Sequence, residues 1–392
     1  MPKTKKRIGI LTGGGDVPPL NVLISSVREA CAAANIDLIG FLKGWEGVVE
    51  NRYVDLKTAS IQPKIGGTIL KSSRARLKKV PGGAEKARES LRILGIEGLI
   101  VVGGEDTLSN TFDLSDVTQI LITKTIDNDV GKITNKDQRI AVDSILNYFT
   151  LGYPTAAEKI SSFVSLSEGL RTTAYSHERI IVVESMGMHA GWLALASSMG
   201  HPDFIIIPEF PLKYDIFLEK VAHRFEQEKN VIIVAAEGAR FEDGSYMSAD
   251  ETETDDFGHP RFKGSAEILV TRLKKDLKRY FDTRNVNAVN PSYLYRSGKP
   301  DILDLTWAHR LGDAAVQSFS KGFEGQVLLT VQRGDEDFYA DSFPLDKIND
   351  FEQLHRFVDE RFYDPEACMA TSAGRRYLKY IVEELPRVGY GI

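Results

Sequence analysis

Two spacings of apolar residues alternate along the chain. Short unbroken apolar runs at residues 7–11, 37–42, 98–102, 119–123, 179–184, 203–208 and 230–236 have the length and β-branched content of strands buried on both faces. Between them, apolar residues recur at helical spacing over 21–34 (Val22, Ile24, Val27, Ala30), 84–94, 190–198, 214–228, 266–280 and 305–319. Strand and helix in turn predict an α/β chain whose mainly parallel sheets carry helices on both faces. The pattern runs twice, before about residue 140 and after about residue 175, with no sequence repeat to make the halves duplicates. The acidic stretch 241–261 reads as a solvated surface excursion, and the tail after residue 334 as a short mixed segment.

The length of 392 residues exceeds one ordinary domain, so two domains are expected. A net charge of -6 argues against broad binding to nucleic acid or to a membrane surface, while leaving room for a local basic site that takes a small anion. No apolar run reaches the roughly 18 residues of a membrane span, and the basic opening MPKTKKR lacks the apolar core of a signal peptide. Cys31 and Cys368 suggest neither a disulfide framework nor a metal site, so a reducing, cytoplasmic compartment is expected.

Parallel sheets bind ligands at the carboxyl ends of their strands, where this chain collects its unusual residues. TGGGDVPPLN (12–21) joins a strand to a helix, and its glycines, Gly14 and Gly15 among them, let backbone amides approach an anion; a tight turn is the other reading. GGTILKSSR (66–74) sets Lys71, Arg74 and, just beyond, Arg76 beside glycines, as suits a polyphosphate or a solvated loop. GGEDT (103–107) places Glu105 and Asp106 after Gly104, where a phosphate loop would carry no acid. In the fourth loop, KTIDNDVGKITNKDQR (124–139), Asp127 and Asp129 flank Asn128 and follow Lys124. Such a pair can divide proton acceptance and metal support, or simply form an Asx-rich turn.

The ordered series GGGDVPPLN, GGTILKSSR, GGEDT, KTIDND, HERIIVVESMG with HAGWLA, AAEGA and NPSYLYRSGKP resembles the phosphofructokinase A family over residues 7–330. The resemblance implies two interleaved Rossmann-like three-layer domains with the active site in the cleft between them. The first would hold pyrophosphate and magnesium and span 1–140, completed by 262–303; the second would hold the sugar phosphate and span 141–261, completed by 304–335; residues 336–392 would form a C-terminal segment. The implied reaction is magnesium-dependent phosphoryl transfer to the 1-hydroxyl of fructose 6-phosphate, with Asp127 as general base supported by Thr125, Asp129 and Lys124. Gly14, Gly15, Lys71, Arg74, Gly104 and Asp106 would face the donor, Glu105 the magnesium ion, and Arg296 the transferring phosphate. Met186, Gly187, Glu237 and Tyr293 would hold the sugar. Arg179 would reach the sugar's 6-phosphate from a neighbouring subunit, implying a homodimer or homotetramer with shared active sites.

Members of that family that use ATP carry glycine where this chain has Asp106. A carboxylate there fills the space of a nucleotide's α-phosphate and meets it with like charge, so pyrophosphate is the expected donor. Lys124 beside a small dense anion points the same way. Other positions depart from the family. Glu105 replaces an aspartate, Pro19-Leu20 a Pro-Gly, Thr123 a proline, Met188 an arginine and Asn287 a basic 6-phosphate ligand, with Arg284 nearby. Each charge-assisted phosphate contact is worth about 1.5–3 kcal/mol, so the acceptor stays open between fructose 6-phosphate, another sugar phosphate such as sedoheptulose 7-phosphate, and a polyol. An ATP-dependent enzyme and an inactive ligand-binding subunit are the remaining alternatives.

Overall fold

The computed structural model describes residues 5–131, 147–254, 260–262, 264–348 and 350–387. The expected boundary at 140/141 and residues 132–139 of the fourth loop lie outside that set. In chain order the elements are β1 (Arg7–Thr12), α1 (Leu20–Ala33), β2 (Asp37–Phe41), α2 (Trp45–Val49), β3 (Tyr53–Asp55), α3 (Gly83–Ile93), β4 (Gly98–Gly103), α4 (Glu105–Leu108) and β5 (Gln119–Thr123). There follow α5 (Tyr153–Val164), α6 (Arg171–Ser176), β6 (Ile180–Ser185), α7 (Trp192–Ala196), β7 (Phe204–Ile206), α8 (Tyr214–Glu228), β8 (Val231–Ala236) and the β9–β10 hairpin (Ala249–Thr254, Pro260–Phe262). The last are α9 (Ser265–Asp276), β11 (Val286–Val289), α10 (Ile302–Ser320), β12 (Gln326–Arg333), β13 (Phe338–Pro344) and, near the C-terminus, a helical turn over Ser372–Leu378.

The chain divides into two compact units. The first comprises residues 1–126, 130–155 and 296–356, the second 127–129, 156–295 and 357–392.

The first unit is built on a sheet of order β13-β12-β5-β4-β1-β2-β3, parallel except for antiparallel β3 and β13 at its two edges. β4 and β5 are buried at every residue, which is why they read as unbroken apolar runs. On one face Leu11, Phe41, Trp45, Leu91, Leu99, Val101, Leu121 and Leu328 share a core with Leu345, Phe351 and Leu354. α1 and α10 pack against each other closely: a Cβ on Gly312 would come within 2.8 Å of the Ser26 hydroxyl oxygen. That hydroxyl donates to the His309 carbonyl at 2.9 Å.

The second unit carries a parallel sheet of order β11-β6-β8-β7. Val182, Ile206 and Ile233 of its strands pack with Phe217 and Val221 of α8 and with Leu269 and Leu273 of α9.

The second half of the chain divides otherwise than the expected boundaries. Residues 262–303 were assigned to the first domain, yet α9 lies in the core of the second unit and β11 pairs with β6, Val286 opposite Ile180. Residues 304–335 were assigned to the second, yet α10 packs on α1 and β12 pairs with β5, Val327 opposite Ile120. Periodicity identifies an element without naming its sheet partner; strand pairing places each completing segment in the unit opposite to the one expected. The tail after residue 334 also does more than expected, supplying the edge strand β13 and four buried residues of the first core, Leu345, Ile348, Phe351 and Leu354.

One buried carboxylate ties α10 to the start of α5. Asp304 accepts the Gly152 amide at 2.8 Å, the Thr155 amide at 3.1 Å and the Thr155 hydroxyl. Asp301 caps α10 by accepting the Asp304 amide at 2.8 Å. Burial first, and neighbouring Asp301 second, push the Asp304 carboxyl up to about 7. A folded-state value above the unfolded one of about 3.9 means that the native state holds the extra proton between them, so stability falls as pH rises from about 4 to about 7. Thermal melting across pH 5–8 is expected to show that decline in the wild type. Asp304→Asn, which mimics the protonated acid, is expected to flatten it; an unchanged slope in the variant would assign the decline to other groups.

Candidate active site

Parallel order sets the ends of β1, β4 and β5 side by side, and the loops leaving them meet in the first unit. The Gly13 amide donates to the Val102 carbonyl at 2.9 Å and the Lys124 amide to the Gly103 carbonyl at 2.9 Å. The Gly14 amide is taken by the Ser73 carbonyl at 2.9 Å, and Ser72 Oγ donates back to the Gly14 carbonyl. Loops 12–16 and 71–74 are thereby stitched together. The amides of Gly13 and Gly14, expected to face an anion, are engaged within the protein.

The glycines serve another purpose. Gly14 has φ +77, and a Cβ built there would stand 3.3 Å from Lys124 Nζ. A Cβ on Gly15 would come within 2.8 Å of Arg296 Nη1. Lys124 is 2% exposed and its ammonium donates to the Gly15 carbonyl. The loop therefore brings two cations, Lys124 and Arg296, against one short stretch of backbone.

Lys71 and Arg74 are exposed along the adjoining loop, where the Lys71 carbonyl accepts Thr12 Oγ1 at 3.0 Å. Asn21, which sequence inspection missed, holds that loop in place: its amide donates to the Ile65 carbonyl at 3.0 Å and its side-chain oxygen accepts the Ile69 amide at 2.9 Å. Its signal was a buried polar residue in the first turn of α1.

Gly104 precedes α4, and Glu105 and Asp106 form the first turn. Glu105 Oε2 lies 3.4 Å from His355 Nδ1. Separated from its partner by 250 residues and placed in the tail, His355 left no sequence signal. Asp106 pairs with Arg76, both side chains about half exposed at 45% and 48%. Among the described residues no group of three or more His, Cys, Asp and Glu could hold a metal. Among the described residues, Glu105 is the carboxylate that the family resemblance gives to the metal, and it opens α4 at the end of β4. One such carboxylate suits magnesium, which keeps several waters and takes one or two carboxylates together with substrate phosphates.

The fourth loop alternates. Thr125, Asp127 and Asp129 are half-buried, whereas Ile126, Asn128 and Val130 are buried. Asn128, at φ 55, turns the chain between the two acids, and its amide donates to the Tyr377 hydroxyl at 2.7 Å. The three candidate catalytic residues thus alternate with buried neighbours, and one carboxylate oxygen of Asp127 is itself buried.

In the second unit, β6 and β8 end together, Ser185 opposite Ala236. The residues that follow meet: Glu237 Oε1 accepts the Gly187 amide at 3.1 Å, and the Glu237 amide donates to the Ser185 carbonyl at 2.9 Å. Gly187 has φ +125, and a Cβ on Gly238 would fall 1.9 Å from the Met188 carbonyl oxygen, so both glycines are required by the turn. The buried hydroxyl of Ser185 has no hydrogen-bond partner among the described residues.

Met186, Gly187 and Glu237 are thus brought together, and Arg179 is not. It precedes β6 at the opposite end, about 20 Å away at roughly 3.3 Å per residue, with its guanidinium on Thr173. Asn287 pairs opposite Ile181 near that same end, and Arg284 is engaged by Asp282 at 2.6 Å. Tyr293 is 73% exposed.

The phosphofructokinase family model matches residues 7–319. A relative named ATP-dependent 6-phosphofructokinase 3, from Streptomyces coelicolor, is 37% identical over 370 residues that cover 93% of this chain and 100% of that one. A relative named pyrophosphate--fructose 6-phosphate 1-phosphotransferase, from Dictyoglomus thermophilum, is 34% identical over 367 residues, 92% and 97% of the two chains. The fold is similar to the crystal structure of a pyrophosphate-dependent phosphofructokinase from Nitrosospira multiformis, with a TM-score of 0.80 at 20% identity over 99% of this chain and 95% of that one. With its strand-end loops in the family's order and a family model spanning most of its length, the chain belongs to the phosphofructokinase family and is a phosphotransferase.

Proposed function

We propose that the protein transfers a phosphoryl group from pyrophosphate to the 1-hydroxyl of fructose 6-phosphate, reversibly and with magnesium. The observation that carries this is the pair of cations, Lys124 and Arg296, packed against the Gly14–Gly15 backbone with Asp106 at the neighbouring strand end. Phosphoryl transfer is chiefly positioning and charge neutralisation. Two cations converging on one stretch of backbone suit a small, dense anion better than a chain of three phosphates.

Lys124 and Arg296, with Arg74 and Lys71 along the next loop, would bind and orient the donor. Glu105 would hold the magnesium ion, which supplies charge neutralisation on the phosphate oxygens. Asp127 would accept the proton of the attacking hydroxyl, with Thr125 and Asp129 two residues away on either side in the chain. The Met186–Gly187 turn and Glu237 would seat the sugar. Arg179, remote from them along its own strand, would serve a neighbouring subunit's 6-phosphate, so the working form would be a homodimer or homotetramer. A cytoplasmic location accords with this role.

The ATP-dependent alternative draws on the Streptomyces relative and on Arg76, which offsets the charge of Asp106. An exposed pair of this kind is worth little in energy, but it keeps the Asp106 carboxylate in place. The obstacle to a nucleotide is then mainly one of space.

Steady-state kinetics with both donors tests the proposal: pyrophosphate is expected to give the higher kcat/KM with fructose 6-phosphate, and equal or better use of ATP would reverse the donor assignment. Asp106→Gly is expected to raise the ATP-to-pyrophosphate ratio of kcat/KM at least tenfold, the scale of one relieved contact. Asp127→Asn is expected to lower kcat by roughly 10²–10⁴, the usual contribution of a general base, with an unchanged melting temperature. Near-wild-type turnover in that variant would remove Asp127 from the role.

A further inference from the structure

Glu184 is a carboxylate 8% exposed at the end of β6, outside the set of residues assigned to binding or chemistry. Its two oxygens serve different segments. Oε2 accepts the Ser265 hydroxyl and the Ala266 amide, both at 3.1 Å, at the start of α9. Oε1 accepts the Asn290 side-chain amide at 2.7 Å. The main-chain carbonyl of the same residue accepts the hydroxyl of Tyr295, which is wholly buried, at 2.9 Å. One residue thus fastens both ends of segment 290–295 to the strand that leads, two residues later, into the Met186–Gly187 turn. Tyr293, which the family resemblance assigns to the sugar, lies within that segment.

We propose that Glu184 is a positioning residue for the sugar phosphate, which locks the Met186–Gly187 turn and segment 290–295, with Tyr293 in it, into one rigid arrangement through Asn290 and Tyr295. The proposal rests on the function proposed above. Glu184 touches no substrate; it acts through the segments it holds. A buried carboxylate suits the task because it accepts three donors at once, and each charge-assisted bond fixes direction as well as distance. Asparagine at 290 is required for the pairing, since an aspartate would set two carboxylates against each other at hydrogen-bond distance.

That dependence can be reversed. Glu184→Gln keeps the shape and one acceptor oxygen for Ser265 and Ala266, but replaces the charge-assisted bond from Asn290 by a neutral amide–amide bond that needs the Asn290 amide to flip. Asn290→Asp supplies an acceptor in that place, and position 290 is exposed, so the carboxylate is solvated there. Each single variant is expected to lower kcat/KM for the sugar phosphate about ten- to a hundredfold, the scale of one lost charge-assisted hydrogen bond. KM for the donor is expected to stay within about twofold and the melting temperature within a few degrees. The double variant Glu184→Gln/Asn290→Asp is expected to recover to within about threefold of wild type.

A merely structural role would lower the melting temperature and the active fraction, without the selective rise in KM for the sugar phosphate. The proposal is overturned if both single variants match the wild type, or if their losses multiply in the double variant. Should Glu184→Gln melt early, Asn290→Asp against the double variant gives the same comparison: higher kcat/KM in the double supports the pairing, and equal or lower kcat/KM overturns it. Failure of the wild type to use pyrophosphate and fructose 6-phosphate would count against the proposed function alone. The four proteins are then compared with the donor and acceptor that the wild type does use.

Discussion

The proposed donor side depends on one contact, the buried ammonium of Lys124 on the carbonyl of Gly15. An ammonium 2% exposed is costly unless its hydrogens are satisfied, and the neighbouring residues meet that requirement. β5 ends at Thr123, so that Lys124 emerges beside β4, with its amide on Gly103. Gly14 leaves no Cβ in the ammonium's way, and Gly15 leaves none in the way of Arg296. Strand order, loop glycines and cation placement are therefore one constraint seen at three levels: parallel pairing of β1, β4 and β5 brings the loops together, and missing side chains let the cations in.

The same constraint frames the question of donor. Curated relatives that share a third or more of their residues with this chain carry names from both donor classes, so overall similarity does not discriminate between them. Discrimination has to come from local volume and charge. Arg76 on Asp106 offsets part of the repulsion that a lone carboxylate would exert, and at the same time fixes that carboxylate in space. Under the proposed donor assignment, selection against a nucleotide would work through an occupied volume more than through field, and would depend less on ionic strength than a purely coulombic filter.

Much of this was legible in the residues. Unbroken apolar runs mark the strands that are buried on both faces, and four strand-end loops supply most of the residues proposed for the site. Two things were not. Periodicity could not say which sheet α9, β11, α10 and β12 would join, because an amphipathic helix fits any apolar face; only the pairing of β12 with β5 and of β11 with β6 decides it. The glycines of the first loop were read as anion-facing amides, whereas two of those amides are spent on Val102 and Ser73 and the gain is in room for side chains. Asn21, His355 and Glu184 act across 44 to 250 residues of sequence, a range at which spacing carries no information.

The central claim is that the absence of a side chain at position 15 makes the cationic donor site. Calorimetric titration of pyrophosphate with magnesium into the wild type and into Gly15→Ala tests it most directly. Displacement of Arg296 by the added methyl group is expected to weaken pyrophosphate binding more than tenfold while thermal melting stays within a few degrees. Unchanged affinity in the variant would contradict the account.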